Sequence, residues 1–309
     1  MLGFSQSSAR SMSAALAIFS RARTMLKLLS ATRKHPFLPG LDNPQAVFMD
    51  LSSSQLVFNV PAGNECERRY KPLATPLISQ FDIYNQRGYE FTHEGFSTAC
   101  LFQRDLDFFS TPSGIKSIGT ISVSVAVDQV NCLPNGMTCL NPNHFEQVML
   151  RLLHRLGPGN PGFWKKIAPV NWKVFCRNES TFVMCEMRND LDAILRPTPY
   201  DAMQYTSLVM TALDEQHLLR IMFHNTGYVP DAFAAKVRGQ ISRSIKLNLN
   251  EDVKRKLSAS KSKWPNAKIS EYREPESWAY PKWRREFNDV GEPKIVVAKL
   301  GSPAPELKV

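Results

Sequence analysis

Ile121-Ser122-Val123-Ser124-Val125-Ala126-Val127 alternates large apolar residues with small ones at every step. Successive side chains of a β-strand point to opposite faces, so period two predicts a strand with one face in the core. That face carries Ile121, Val123, Val125 and Val127. Other strands follow on either side. Leu56-Val57-Phe58-Asn59-Val60 runs into Pro61-Ala62-Gly63 and reads as a strand stopped by a turn. Trp172–Cys176 and Thr181–Met187 flank Arg177-Asn178-Glu179-Ser180, a hairpin. Tyr205–Leu213 and His217–His224 flank Asp214-Glu215-Gln216, a second hairpin. Further strands are expected at Phe81–Phe91 and Ser97–Gln103.

Two helices are marked by their ends. Asn141 suits the N-cap, Pro142 the first helical position and Gly157 the exit. Phe145, Val148, Met149, Leu152 and Leu156 form one apolar stripe between them. The second helix opens at Pro230-Asp231, and Phe233, Val237, Ile241 and Ile245 recur every four residues. Asp231 lies early and Lys236, Arg238, Arg243 and Lys246 lie late, as the helix dipole favours. Antiparallel hairpins with interspersed helices predict an α+β fold: an antiparallel β-sheet with helices packed on it, over residues 41–249.

The chain has 309 residues and ordinary globular composition, 43% hydrophobic and 21% charged. That excludes wholesale disorder. No run approaches the roughly 18 apolar residues of a membrane-spanning helix. The net charge is +10, unevenly spread. Residues 1–40 hold six basic and no acidic residues; residues 41–245 hold 18 basic and 19 acidic; residues 246–309 hold 14 basic and nine acidic. The expected body is therefore neutral, and a basic nucleic-acid-binding domain is not expected. Residues 1–40 read as a disordered basic leader. Its first 34 residues have transit-peptide-like composition, and Met12 and Met25 offer alternative starts. A cytoplasmic location is expected, with organelle targeting through residues 1–34 as the alternative.

Residues 250–309 read as a Pro- and Trp-containing extension. Glu251–Lys263 is a charged helix candidate, and the prolines that follow forbid long regular elements. Glu276-Ser277-Trp278-Ala279-Tyr280-Pro281-Lys282-Trp283-Arg284-Arg285 mixes aromatics with cations. Trp and Arg are the residue types that anchor interfaces. The competing expectation is that these aromatics pack on their own domain, since exposed Trp is costly.

The Leu56–Gly63 entry, the alternating strand and helix of Thr120–Leu156, and the closing hairpin and helix ending at Ser244-Ile245-Lys246-Leu247 together resemble the PsbP-like fold. The resemblance spans roughly residues 45–249. That fold includes photosystem accessory proteins, the Ran-binding Mog family and bacterial secretion adaptors or immunity-type proteins. It implies an α+β domain that binds another protein and is not an enzyme. The long extension and the cysteine-bearing loop Asn131–Asn141 depart from the pattern.

Catalytic signatures were sought. There is no phosphate loop, His-Glu-x-x-His, Gly-x-Ser-x-Gly or Cys-x-x-Cys. Gly157-Pro158-Gly159-Asn160-Pro161-Gly162 fits a dinucleotide pattern by letter only: it follows a helix, and two prolines replace the backbone donors a pyrophosphate needs. Cys132, Cys139, His144 and His154 match no common zinc spacing. In an oxidising compartment Cys132 and Cys139 would close a loop. With a two-residue turn, Cys176 pairs with Thr181 and Cys185 with Trp172, so these thiols are not partners. Asp105/Asp107 and Asp190/Asp192 read as turn or cap residues. Asn178-Glu179-Ser180 is a glycosylation sequon on a turn. No catalytic residue, metal or cofactor is assigned.

His217 and His224 are seven apart and so point to opposite faces. A two-residue turn would gather Leu208, Met210, Leu219, Ile221 and Phe223 on one face, beneath the 230–245 helix. Tyr205, Ser207, Val209, Leu218, Arg220, Met222 and His224 would share the other. Tyr205, Arg220 and His224, with Trp278, Trp283 and Arg284 of the extension, are the candidate binding residues for a protein partner. An enzyme with a polar site at Tyr205, Arg220 and His224 is the alternative, and nucleic-acid association through the basic ends comes third.

Overall fold

The computed structural model describes residues 26–62, 77–93, 95–111, 117–157 and 165–309. The leader up to Met25, Cys66 and most of the Gly157–Gly162 loop lie outside the described residues. In chain order the strands are β1 (Gln45–Leu51), β2 (Ser54–Val60), β3 (Gln80–Phe81), β4 (Phe91–His93), β5 (Phe96–Phe108), β6 (Gly119–Val130), β7 (Lys165–Arg177), β8 (Ser180–Asn189), β9 (Thr206–Ala212), β10 (His217–Gly227), β11 (Lys246–Asn248), β12 (Glu276–Ala279), β13 (Lys282–Phe287) and β14 (Pro293–Lys299). The helices are α1 (Pro142–Leu156), α2 (Pro199–Met203), α3 (Asp231–Ser244) and α4 (Glu251–Lys263). The fold is α+β.

An eight-stranded sheet of order β12-β7-β8-β9-β10-β6-β5-β4 forms the centre. All its pairings are antiparallel. One face carries Ile121, Val123 and Val125 of β6 with Ile221 and Phe223 of β10. It is covered by Ala234, Val237 and Ile241 of α3 and by a second sheet, β11-β2-β1-β3, which contributes Val47, Met49, Leu56 and Phe58. The opposite face carries Val183, Cys185, Leu208, Met210 and Leu218 under Phe145, Val148, Met149 and Leu152 of α1. Both faces are thus occupied, and β6 is more deeply buried than its alternation suggests. Only Ser122 and Ser124 are part-exposed.

The caps follow the sequence. The Asn141 side chain accepts from the Asn143 and His144 amides, and Asn250 accepts from Val253 N at 2.9 Å to start α4. Three expectations change. Phe81–Phe91 is not a strand, because Asp82 Oδ1 accepts from Tyr84 N and Asn85 caps a short 3-10 turn at Gln86–Gly88. The extension expected to be irregular beyond its helix candidate holds three short strands, while α4 matches the expected Glu251–Lys263. The leader boundary moves inward: Ala31 and Leu38 are buried, and Phe37 pairs with Phe109.

Gly119 marks a tight point of the sheet. It lies opposite Gly227, and a Cβ there would sit 2.4 Å from the Tyr228 carbonyl oxygen. Backbone must then move, so Gly119→Ala is expected to cost about 1–3 kcal/mol. At Gly157 the closest atom to a Cβ would be the Met187 sulfur, at 2.5 Å, with the Leu153 carbonyl oxygen next at 3.3 Å. That sulfur ends a flexible side chain and can swing aside, so Gly157→Ala is expected to cost less. Urea unfolding midpoints of the two variants check the contrast.

Candidate functional site

The predicted face cluster divides. The β9–β10 register pairs Met210 with Arg220, Leu208 with Met222 and Thr206 with His224. Directly opposed residues share a face, so Leu208 and Met210 lie with Arg220 and His224, whereas Val209 lies with Ile221. The connection is one residue longer than expected on the β9 side: Ala212 is the last β9 residue paired, and Leu213 N donates to His217 O at 2.8 Å. A shift of one residue exchanges the two faces of a strand. Tyr205 consequently lies on the α3 side, away from Arg220 and His224.

Tyr205 is buried, and its hydroxyl accepts from Arg238 Nη1 at 2.6 Å. Arg238, read from the sequence only as a cation late in its helix, is buried and also donates to Glu186 Oε1 at 2.9 Å. Arg188 lies over the Tyr205 ring, 4.1 Å from its centroid, and pairs with Glu186. Burial pushes the Tyr205 hydroxyl above its ordinary range despite Arg238. This is a packed structural network.

Arg220 is also buried. Its Nε and Nη2 donate to the two carboxylate oxygens of Asp128, at 2.6 and 3.0 Å. Burial works against its charge, but Asp128 holds it above its usual value. His224 lies further out, exposed, with Nδ1 3.0 Å from Thr206 Oγ1. Of the three, only His224 faces solvent, so the structure does not bring Tyr205, Arg220 and His224 together.

The extension separates into a stem and a hairpin. In the stem, β12 pairs with β7 and so becomes an edge strand of the large sheet. Trp278 is 6% exposed and its ring meets that of His154 edge-on at 5.8 Å. Trp172 Nε1 donates to Ser270 O at 2.7 Å. His154 Nε2 lies 2.7 Å from Ser302 O, and Lys308 N donates to Gln147 Oε1 at 2.7 Å, fastening the C-terminal residues along α1. Trp264 packs edge-on against His144 at 5.6 Å. For Trp264 and Trp278 the self-packing expectation holds.

Beyond the stem, β13 and β14 pair, among the described residues, only with each other. Ala279 and Ser302 close the base: Ser302 N donates to Ala279 O at 2.8 Å, and Ala279 N donates to Ser302 Oγ at 2.8 Å. At the tip, Asn288 Oδ1 accepts from Val290 N and Glu292 N. The register places Trp283, Arg285 and Phe287 opposite Val297, Ile295 and Pro293, all on one side. Phe287 is 67% and Ile295 69% exposed there, with Val297 at 41%. Arg284 projects on the other side and pairs with Glu286. Trp283 is half-buried, and its Nε1 is shielded from water without a partner.

The remaining candidates have structural explanations. Cys132, Cys139, Cys176 and Cys185 are free thiols, so the Cys132–Cys139 link is not formed. Cys139 is buried, whereas Cys132 is exposed, with its thiol near Gly95 O. Cys176 pairs with Thr181 as expected. Asp105 and Asp107 are strand residues rather than turn residues, and accept from Ser122 and Thr120 across the β5–β6 ladder. Asp190 stands at the N-cap position of the Leu191–Ala193 turn, but its side chain makes no cap hydrogen bond there and accepts from Ser277 instead. The sequon residue Asn178 turns the β7–β8 hairpin at φ 51°. Among the described residues no three His, Cys, Asp or Glu side chains converge to hold a metal.

His144 Nδ1 accepts from Thr138 N at 3.3 Å. Burial, and then the Lys263 charge, hold its ring below the ordinary histidine value. The unfolded ring takes a proton near pH 6.5, while the folded ring does so only at lower pH. Its contribution to stability is therefore complete above about pH 6.5 and declines as pH falls through the folded value. Unfolding midpoints at about pH 7 and pH 5 are expected to differ less in His144→Gln than in the parent chain.

Many cations of the C-terminal region are neutralised locally: Lys254 by Glu251, Arg255 by Asp252, Lys256 by Glu215 and Arg273 by Glu146. No helix among the described residues is long and apolar enough to cross a membrane. No protein-family model and no curated protein matches the chain.

Proposed function

We propose that the chain is a non-catalytic protein-binding protein, an adaptor whose β13–β14 hairpin engages an apolar, acid-rimmed surface on a different protein. One observation carries this: Phe287, Ile295 and Val297 sit on one exposed side of a hairpin that no other strand joins. An isolated two-stranded hairpin is marginal in water, and contiguous exposed apolar surface marks interaction sites. The hairpin as a whole carries five cations (Lys282, Arg284, Arg285, Lys294 and Lys299) against three acids (Glu286, Asp289 and Glu292), which selects an acidic rim on the partner. Trp283 and Arg284, read from the sequence as interface residues, belong to this hairpin. Trp278 acts indirectly by anchoring the stem. The PsbP-like order of elements, in families that mostly bind proteins, supports the same reading.

Site-specific photo-crosslinking in the native cell tests it. A photoreactive residue at 287 or 295 is expected to capture one partner, and the same group at 294, on the other side, is expected to capture little. The purified partner is then expected to bind the parent chain at least about tenfold more tightly than the Ile295→Ser chain, and less tightly as salt rises. Adducts of two copies of this chain, or equal capture from 294, would overturn the proposal.

A further inference from the structure

A second site lies where the β9–β10 connection meets Tyr84. A cleft of about 550 Å³ is lined there by Tyr84, Gln86, Gln129, Thr138, Asp214 and His217, among others. Asp214 and His217 form a buried pair: His217 Nδ1 lies 2.8 Å from both Asp214 carboxylate oxygens. Asp214 Oδ1 also accepts from Gln216 N and His217 N, each at 2.8 Å. Burial works against the Asp214 charge, but His217 and these amides bring the carboxyl below its usual range. An ionised Asp214 fixes the Nδ1–H tautomer, which leaves the His217 Nε2 lone pair on the far side of the ring.

That Nε2 has no hydrogen-bond partner, although His217 is only 3% exposed. Gln129 Oε1 is likewise buried and unpartnered. The two residues are directly opposite in the β6–β10 ladder, so they share one face and one neighbourhood. Buried polar atoms are normally satisfied, and two adjacent acceptors left open beside one cleft call for a group that brings hydrogens. Tyr84 meets the His217 ring edge-on at 5.6 Å, and Tyr89 stacks on it at 6.3 Å. Asp214 and Glu215 are the ionised groups lining the cleft, with no Lys or Arg among the lining residues. Lys256 stands near and is held by Glu215 and Asp252.

We infer that this cleft binds a small organic cation with at least two N–H donors, of the guanidinium or primary-ammonium class, which donates to His217 Nε2 and Gln129 Oε1. Asp214 is a positioning residue that sets the tautomer. The acidic lining of Asp214 and Glu215 favours positive charge over neutral polyols and disfavours anions. The site shares no residue with the hairpin, so the two proposals stand or fall separately.

Titration of the full chain, labelled with nitrogen-15, with methylguanidinium tests the inference, with methyl glucoside and propionate as neutral and anionic controls. So small a ligand is expected to bind with a Kd of about 1 mM. The His217 ring nitrogens and the Gln129 side-chain amide are expected to shift with methylguanidinium and with neither control. Gln129→Met keeps the volume and removes the acceptor. It is expected to weaken binding at least about fivefold with an unchanged backbone spectrum. Because the primary readout uses the parent chain, a variant that fails to fold does not decide the matter. Shifts with methyl glucoside alone, with propionate, or with no probe would each overturn the inference.

Discussion

Asp128→Ala is expected to lower the unfolding free energy by about 3–5 kcal/mol. Asp128 is fully buried near the C-terminal end of β6. It receives two hydrogen bonds from Arg220 and a third from Thr98 Oγ1, at 2.6 Å, while Arg155 Nη1 stands 4.0 Å away. Removing the carboxylate strands the guanidinium of Arg220, which is 5% exposed and has little access to water. The pair as a unit is worth much less than the penalty for breaking it, because both ions were desolvated on folding. The combined replacement Asp128→Leu with Arg220→Met is therefore expected to be markedly more stable than Asp128→Ala alone. Urea unfolding of the three chains measures both statements. A loss below about 1 kcal/mol for Asp128→Ala would mean that Arg220 finds water or another acceptor. It would then return to the pool of candidate recognition residues.

Truncation after Lys268 is expected to cost more than about 3 kcal/mol, or to leave a chain that aggregates on purification. The missing segment supplies an edge strand to the central sheet, and without it β7 presents an unpaired edge. It also removes the Trp278 ring from the apolar cluster beneath α1 and the Ser270 carbonyl from Trp172 Nε1. The full-length point variant Trp278→Ala isolates the packing component, expected at about 3–5 kcal/mol from a large aromatic at a buried site. Thermal unfolding with size-exclusion chromatography reads both. A truncated monomer as stable as the parent would reduce the stem to a passive appendage.

Local signals carried the fold a long way. The alternation in Ile121–Val127, the Asn141-Pro142 start of α1 and the four-residue spacing along α3 are short-range features. The elements they mark appear where periodicity and capping put them. The β7–β8 turn was equally legible because its two residues left one register open. What failed depended on contacts distant in sequence or on counting a loop. The β9–β10 connection looked compact, yet one extra residue inverted the faces of β9 and moved Tyr205 to the α3 side. A bulge between Cys100 and Phe102 shifts the β5 register in the same way, and its sequence has no glycine or proline to announce it. Arg238 read as one of the cations that the dipole favours late in its helix. Its burial depends on Glu186, 52 residues away, which no local rule connects to it. The aromatic-basic segment was legible as composition alone. That its first tryptophan is a core residue and its second sits on a free hairpin follows from β12 pairing with β7, a tertiary event.

The central claim is that the C-terminal extension is two things: a stem required for folding and a hairpin available for a partner. Ala279 and Ser302 already lie hydrogen-bonded across the hairpin base, so residues 282–299 can be replaced by a short Asn-Gly turn without disturbing the stem. The urea unfolding midpoint of that shortened chain tests the division most directly. The account expects a free energy within about 0.5 kcal/mol of the parent, as for surface changes away from the core. A loss approaching that of the Trp278→Ala chain would contradict it, because the hairpin would then be part of the fold and not a surface held ready for another protein.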